Sequence, residues 1–303
     1  MSKDGTPVVE TLALSKVFKD FWRRDRVTAV ADLDLRVEPG EIFGLLGPNG
    51  SGKTTTIKII LGLLYPTRGR ALVFGRLPTE VAVKNRIGYL PEESYLYRFL
   101  NARETLDYYA RLFQYPRRER MRRIDMLLDM VGLAGVARRR VGEYSKGMAR
   151  RIGLAQALIN DPDLLILDEP TTGLDPLGTR QIKNLISDEL RRRGKTVLLC
   201  SHLLADVEEV CDRVCILYGG KRRAIGGVEE LLTSHDQTQI NLPHLDEATV
   251  RDVLEFLRRY AGDGEIKVTN PTKRLEDYFL DVVEQARRER LQTAGAEKGG
   301  DAA

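Results

Sequence analysis

The sequence predicts an α/β protein organised on a largely parallel sheet, and three observations carry that expectation. The first is Gly47-Pro48-Asn49-Gly50-Ser51-Gly52-Lys53-Thr54, a loop with the spacing G-x-x-x-x-G-K-[ST]. It lies between the apolar run Glu41 to Leu46, which reads as a buried strand, and a helix-patterned stretch from Thr54 to Leu64. The second is a pair of continuous apolar runs, Leu164-Leu165-Ile166-Leu167 and Thr196-Val197-Leu198-Leu199-Cys200, each of strand length and each ending in polar residues. The third is a helix-patterned block from Ser94 to Asn160, with strand-type sequence on either side of it.

In chain order, Val8 to Leu14 and Leu33 to Val37 read as strands, the second by strict alternation, with Pro39-Gly40 as a turn. The polar, aromatic stretch Lys19 to Arg26 between them reads as a long hairpin loop. Phe18 has two readings: an aromatic face on which a nucleotide base can stack, or an ordinary core residue at a strand end. Arg70 to Phe74 and Ile87 to Leu90 are short strands, the second closed by Pro91-Glu92-Glu93. Asn101 caps a helix, Glu104 completes the box, and Leu106, Ala110 and Phe113 share its apolar face. A second helix, from about Arg118 to Val131, is expected to bury Ile124, Leu127, Leu128 and Val131 while exposing Arg118, Arg122 and Asp125. Together these make a helical subdomain, about residues 94–160, inserted into the sheet. Arg213 to Tyr218, Gly219-Gly220 and Lys221 to Ile225 form a terminal hairpin.

Past that hairpin the pattern changes. Gln239 to Leu242 and Glu265 to Val268 read as strands. Asp246 to Tyr260 reads as an amphipathic helix through Val250, Val253, Leu254 and Leu257, and Leu275, Phe279, Val282 and Val283 line another. From about Arg287 the composition is that of a disordered tail. The expected domains are therefore 1–227, a smaller accessory domain at 228–286, and a tail at 287–303.

A length of 303 residues with 42% hydrophobic content supports a full core. No apolar run reaches the ~18 residues of a membrane span, and Met1 to Gly5 lacks the apolar centre of a secretion signal, so the expectation is a cytoplasmic protein. Cys200, Cys211 and Cys215 are an odd set without metal-type pairing, read as buried reduced thiols. Net charge is +4, but residues 228–303 hold 10 Lys/Arg against 16 Asp/Glu, which leaves 38 against 28 for the rest of the 48 and 44 in the chain. A basic body can face anionic lipid or nucleic acid; scattered as they are, these charges fit an ordinary solvated surface better.

The glycine-rich loop suits an anion. Glycine lets the backbone curl tightly, successive N–H groups and the following helix N-terminus face the phosphates, and the Lys53 ammonium reaches the outer ones. Thr54 would place its hydroxyl on Mg²⁺. The run Leu164 to Leu167 delivers Asp168 and Glu169 at a strand's carboxyl end, where ligands bind in open parallel sheets. Asp168 can hold Mg²⁺ through water opposite the loop, and Glu169 is then the candidate general base for an attacking water. His202, at the end of the next apolar run, can contact a γ-phosphate or that water, although a lone histidine is more often structural.

With these motifs in this order, residues 8 to 227 resemble the ATP-binding subunit of ABC transporters. The most specific element is Tyr144-Ser145-Lys146-Gly147-Met148, similar to the LSGGQ segment of that family. The resemblance implies a P-loop NTPase fold with a RecA-like core sheet, an N-terminal antiparallel β part, the inserted helical subdomain, and a small C-terminal α+β domain. It implies ATP and Mg²⁺ as ligands and two subunits, a homodimer or a pair with a related ATPase subunit, that sandwich two ATP molecules. One subunit would contact the nucleotide through Phe18 and through Gly47, Pro48, Asn49, Gly50, Ser51, Gly52, Lys53, Thr54 and Thr55. Its partner would contribute Ser145, Gly147 and the D-loop Asp175. Thr54, Glu92 and Asp168 would hold the metal, and Glu169, Lys53 and the switch histidine His202 would carry catalysis.

The chain departs from the family pattern at two places. Lys146 and Met148 replace the usual Gly and Gln of the signature segment, which leaves Ser145 and Gly147 as its contacts. Glu92 stands where a glutamine is usual, and a carboxylate oxygen serves a hard cation equally well. The "YSKGM" form is similar to that of prokaryotic export-type subunits, which implies a separate integral membrane permease, a place on the cytoplasmic face of the cell membrane, and no nucleic-acid partner. The competing reading is a soluble ABC-type ATPase acting on nucleic acid or the ribosome. Relatives of that kind carry two cassettes, coiled-coil insertions or zinc-binding cysteines, and the sequence has none of these marks. It also lacks an N-K-x-D guanine motif.

Overall fold

The apolar runs become a central sheet in the computed structural model, which describes residues 6–19, 25–93, 95–233 and 245–261. The chain divides into two units between Leu232 and Thr233. The first unit runs β1 (Val9–Lys19), β2 (Asp25–Val37), β3 (Ile42–Leu46), α1 (Lys53–Ile60), β4 (Arg68–Val73), α2 (Val81–Lys84) and β5 (Ile87–Leu90). It continues through α3 (Ala102–Leu112), α4 (Arg117–Met130), α5 (Lys146–Ala157), β6 (Leu164–Asp168), α6 (Pro176–Asn184), β7 (Thr196–Ser201), α7 (Leu204–Val210), β8 (Arg213–Tyr218), β9 (Lys221–Gly227) and α8 (Val228–Leu232).

Strands β5, β6, β7, β3 and β8 lie side by side and parallel, with β9 antiparallel on one edge. A second sheet, in the order β2-β1-β4, is antiparallel. The central strands are covered on both faces, which is why they read as unbroken apolar runs. Alternation still sorts their side chains. Ile42, Leu46, Leu165, Leu167, Val197 and Leu199 join the core under the helical block. Phe43, Leu45, Leu164, Ile166, Leu198 and Cys200 join the other core, with the antiparallel sheet and α1. Each fully buried side chain of this size contributes about 1.5–3 kcal/mol.

Helices α3, α4 and α5 lie in the chain between β5 and β6, which are themselves paired neighbours, so the helical block is an insertion between adjacent strands. Its first helix is capped as expected. Asn101 Oδ1 accepts from Glu104 N at 2.9 Å, and Glu104 Oε2 accepts from Asn101 N at 2.9 Å. In α4, Ile124, Leu127 and Leu128 are buried while Arg118, Arg122 and Asp125 are exposed.

Some boundaries differ from expectation. Helix α1 stops at Ile60 instead of Leu64, because Gly62 turns left-handed at φ +67° and Leu63 N bonds back to Lys58 O at 2.8 Å. Strand β1 extends to Lys19 and β2 starts at Asp25, since the ladder keeps pairing as far as Lys19 with Asp25. The long loop expected over 19–26 is therefore narrower, and residues 20–24 lie outside the described residues. Helices α6 and α7 had no sequence expectation. All three cysteines are buried and free, and burial raises each thiol's pKa, Cys215 to about 12.

Of the second unit, the described part holds one helix, α9 (Glu247–Ala261). Asp246 caps it, accepting from Ala248 N at 3.0 Å and Thr249 N at 2.8 Å. Val250, Val253, Leu254 and Leu257 are its half-buried positions, as the periodicity predicts. The strands expected at 239–242 and 265–268, the helix through Leu275 and the tail from Arg287 lie outside the described residues.

Candidate active site

Register brings three strand ends to one edge. Leu46 pairs with Ser201 across β3 and β7, and Asp168 pairs with Cys200 across β6 and β7. The residues that follow, Gly47, Glu169 and His202, therefore emerge side by side at the carboxyl edge, where an open parallel sheet holds its ligand. The loop from Gly47 is tightly wound. Gly52 has φ +106°, and a Cβ there would fall 2.4 Å from Ala29 O; one at Gly47 would fall 2.3 Å from Leu217 O. Only glycine fits at either place. Pro48, Asn49, Gly50 and Thr54 are exposed at the mouth of the loop, whereas Thr55 is half-buried in α1.

Lys53 is 5% exposed and folds over the loop, where its Nζ donates to Gly47 O and, at 3.4 Å, to Pro48 O. The same ammonium lies 3.7 Å from Glu169 Oε1. Ser51 Oγ is buried with no hydrogen-bond partner among the described residues, a donor left unspent within the loop. Phosphate oxygens would replace neutral carbonyls as acceptors for Lys53, and charge-assisted bonds of that kind are about twice as strong. The loop fits an anion.

Glu169 is 5% exposed and sits at φ +51°, a left-handed conformation rare outside glycine and asparagine. The turn lets Glu169 N donate to Cys200 O at 2.9 Å and sends the carboxylate back across the sheet edge. There Oε2 accepts from His202 Nδ1 at 2.8 Å and from Thr172 Oγ1 at 3.1 Å. The His202 side chain is 40% exposed against 6% for Glu169, so the imidazole forms the solvent side of the pair. Asp168 is buried beside them. Burial raises its pKa to about 6, reinforced by the charges of Glu169 and Glu92 and opposed by Lys53 and Arg150.

Arg150, on α5, was not singled out by sequence reasoning. It is 7% exposed and its guanidinium meets the site from beneath. Nε donates to Pro170 O at 3.1 Å, Nη1 to Pro91 O and to Glu92 O at 2.8 Å, and Nη2 to Asp168 O and to Glu169 O at 2.8 Å. Burial lowers its pKa to about 10. A signal was present: Arg150 shares a helical stripe with Gly153, Leu154 and Ala157, all buried, and a charge on such a stripe needs an internal partner.

Residues 30–172 match the family described as ABC transporter. An uncharacterized ABC transporter ATP-binding protein of Synechocystis is 41% identical, with 90% of this chain and 84% of that protein aligned. The ABC transporter ATP-binding protein NatA of Bacillus subtilis is 39% identical over 75% of this chain and 92% of its own. The chain belongs to the ABC transporter ATP-binding proteins. Among solved structures, an ATP-binding subunit of an ABC transporter is 31% identical with a TM-score of 0.65, covering 74% of this chain and 91% of its own. An ATP-binding cassette solved as a dimer in a post-hydrolysis state with ADP and Pi is 25% identical, with a TM-score of 0.65 over 73% of this chain and 98% of its own. The P-loop NTPase core with its parallel sheet and N-terminal antiparallel sheet is thus the family fold, and the subunit is an ATP-binding ABC ATPase.

Within this ATP-binding subunit, the signature segment opens α5. Ser145 is the N-cap, its hydroxyl accepting from Met148 N at 3.2 Å, and it is exposed. Gly147 has room beside it: an added Cβ would meet only Leu174, at 4.0 Å. Lys146, in place of the usual glycine, lays its side chain over Gly173, where a Cβ would fall 1.9 Å from Nζ. Asp175 caps α6 by accepting from Gly178 N at 2.7 Å. Among the described residues, the hydrogen bonds of Ser145 and Asp175 stay local and do not join the Lys53–Glu169 cluster. Phe18 is 41% exposed on β1 with Lys16 Nζ 5.3 Å from its ring centre, so of its two readings the buried core residue is excluded.

Glu92 is exposed, its carbonyl is held by Arg150, and its charge reaches Asp168. Three carboxylates, Asp168, Glu169 and Glu92, thus face the two cations Lys53 and Arg150. The excess of negative charge and of hard oxygen donors, with the exposed Thr54 hydroxyl near the loop, fits a small divalent cation. Among the described residues no cluster of three or more His, Cys, Asp or Glu side chains forms a ready metal site.

Proposed function

We propose that this ATPase drives export through a separately encoded integral membrane permease, working on the cytoplasmic face of the membrane as a homodimer or beside a related ATPase subunit. The observation that carries the chemistry is the buried Glu169 carboxylate held between Lys53 and His202 at the carboxyl edge of the sheet. Lys53 and the loop N–H groups bind the β- and γ-phosphates. Thr54, Asp168 and Glu92 would hold Mg²⁺, which supplies charge neutralisation at those phosphates. Glu169 takes the proton of the attacking water while the His202 N–H fixes its orientation. Ser145 and Gly147 at the α5 N-terminus, with Asp175, face the nucleotide bound by the partner subunit, where free N–H groups and the helix dipole favour an anion.

Export is supported by the likeness to a Nod factor export ATP-binding protein I of Burkholderia thailandensis, 39% identical over 80% of this chain and 81% of that one. A separate permease is supported by the likeness to relatives that are named as ATP-binding proteins; among the described residues no helix is long and apolar enough to cross a membrane. The test combines turnover with capture. Glu169→Gln should bind ATP yet turn over about 10²- to 10⁴-fold slower, the usual contribution of a general base. Tagged Glu169→Gln protein with ATP, incubated with detergent-solubilised native membranes, should retain a polytopic permease identifiable by mass spectrometry. Ribosomal or DNA-associated proteins alone would replace the transport reading with the nucleic-acid one.

A further inference from the structure

We propose that Arg150 is the positioning residue that sets the Glu169 carboxylate for catalysis and ties it to the Glu92 loop. The inference rests on Glu169 being the general base. A guanidinium carries five N–H donors, and all five of Arg150 are spent on main-chain carbonyls. Three of those carbonyls belong to the consecutive residues Asp168, Glu169 and Pro170. They fix the peptide planes on both sides of a residue held at φ +51°, a conformation that costs roughly 1–3 kcal/mol unless its surroundings impose it. With both planes fixed, the Cα–Cβ bond of Glu169 has one direction, towards Lys53 and His202.

The remaining two carbonyls, of Pro91 and Glu92, place the neighbouring loop on the same group. Arg150 stays charged despite its burial, because burial leaves its pKa at about 10. The charge answers carbonyl dipoles in a setting where three carboxylates supply the counter-field. Since Arg150 lies on the helix that Ser145 caps, one rigid element carries the signature segment at its start and the support of the catalytic base little more than a turn later.

A support acts only through what it supports, and that makes the inference testable. Arg150→Gln and Arg150→Lys are made in the full chain, each alone and with Glu169→Gln, and steady-state ATP turnover and mant-ATP affinity are measured. Arg150→Gln alone should lower kcat about 10- to 100-fold with the nucleotide Kd within about twofold, as expected for a misplaced base. In the Glu169→Gln background it should change the residual kcat by less than about threefold, because coupled residues are non-additive. Arg150→Lys, with three donors for five carbonyls, should fall between wild type and Gln, and it stands in if the Gln variant does not fold. Guanidinium ion at about 10–50 mM should partly restore turnover to Arg150→Ala, whose cavity it matches. Equal losses in both backgrounds, or a Kd rising in step with the fall in kcat, would overturn the inference and leave Arg150 a scaffold residue. Glu169→Gln turning over at the wild-type rate would instead remove the underlying assignment of the base.

Discussion

Asp168 shows how a single side chain records what its surroundings are built for. Its carboxyl ionises near 3.8 in an unfolded chain and near 6 in the folded protein, because burial comes first and the charges of Glu169 and Glu92 add to it. Between those values the folded state holds the proton more tightly. Well below pH 3.8 both states are protonated and nothing is lost; well above pH 6 both are ionised, and the folded state bears the full cost, up to ~3 kcal/mol for a two-unit shift. Asp168→Asn is therefore expected to raise the Tm of nucleotide-free protein in EDTA by several degrees near pH 7.5 and by only about a third as much near pH 4.5, read by scanning fluorimetry. Equal or lower Tm at both pH values would refute the electrostatic account. A cation bound at the same carboxylates would offset that cost.

Elements divide by how local their causes are. The cap of α3 is wholly local: Asn101 and Glu104 answer each other's backbone N–H, and both partners are three residues apart. Asn101→Ala should cost about 1 kcal/mol, a fall in Tm of about 2–4 °C for a unit of this size, with ATP affinity unchanged. An unchanged Tm would mean that packing of Leu106 and Ala110 alone sets the start of the helix. Helix α5 is the opposite case. Its first residues could be recognised in the sequence, but the job of Arg150 on its inner face depends on carbonyls that lie 18 to 59 residues away in the chain. Helix α6, too, is started locally by Asp175, yet its Lys183 is buried against Asp206 and Glu209 of α7, a pairing that only packing creates.

At the scale of the whole molecule, the residues expected at the nucleotide fall into two groups that lie apart in the chain's own fold. The cluster of Lys53, Asp168, Glu169 and His202 is assembled within one chain, while Ser145, Gly147 and Asp175 make their contacts elsewhere in it. Gly147→Asp separates the two. A Cβ at this position has room in the monomer, and a carboxylate in the first turn of α5 suits the helix dipole, so folding and ATP binding by one subunit should persist. In the proposed sandwich the same charge would meet a partner's phosphates and repel them. Glu169→Gln protein with ATP should run as a dimer in size-exclusion chromatography, and adding Gly147→Asp should return it to a monomer with Kd for mant-ATP changed less than about threefold. A dimer that survives Gly147→Asp would remove the α5 N-terminus from the interface.

The local sequence carried the parallel sheet, the glycine loop, the strand-end carboxylates and the α3 cap, because each follows from spacing, alternation or a contact a few residues long. Tertiary structure decided what depends on register. Pairing of β3, β6 and β7 brought Gly47, Glu169 and His202 to one edge, and it turned His202 from a lone histidine into the partner of Glu169. It exposed Phe18 on β1. It also placed Arg150 beneath five carbonyls from two distant loops, since a buried charge can be read as a stripe in a helix but its acceptors exist only once the chain has folded around it.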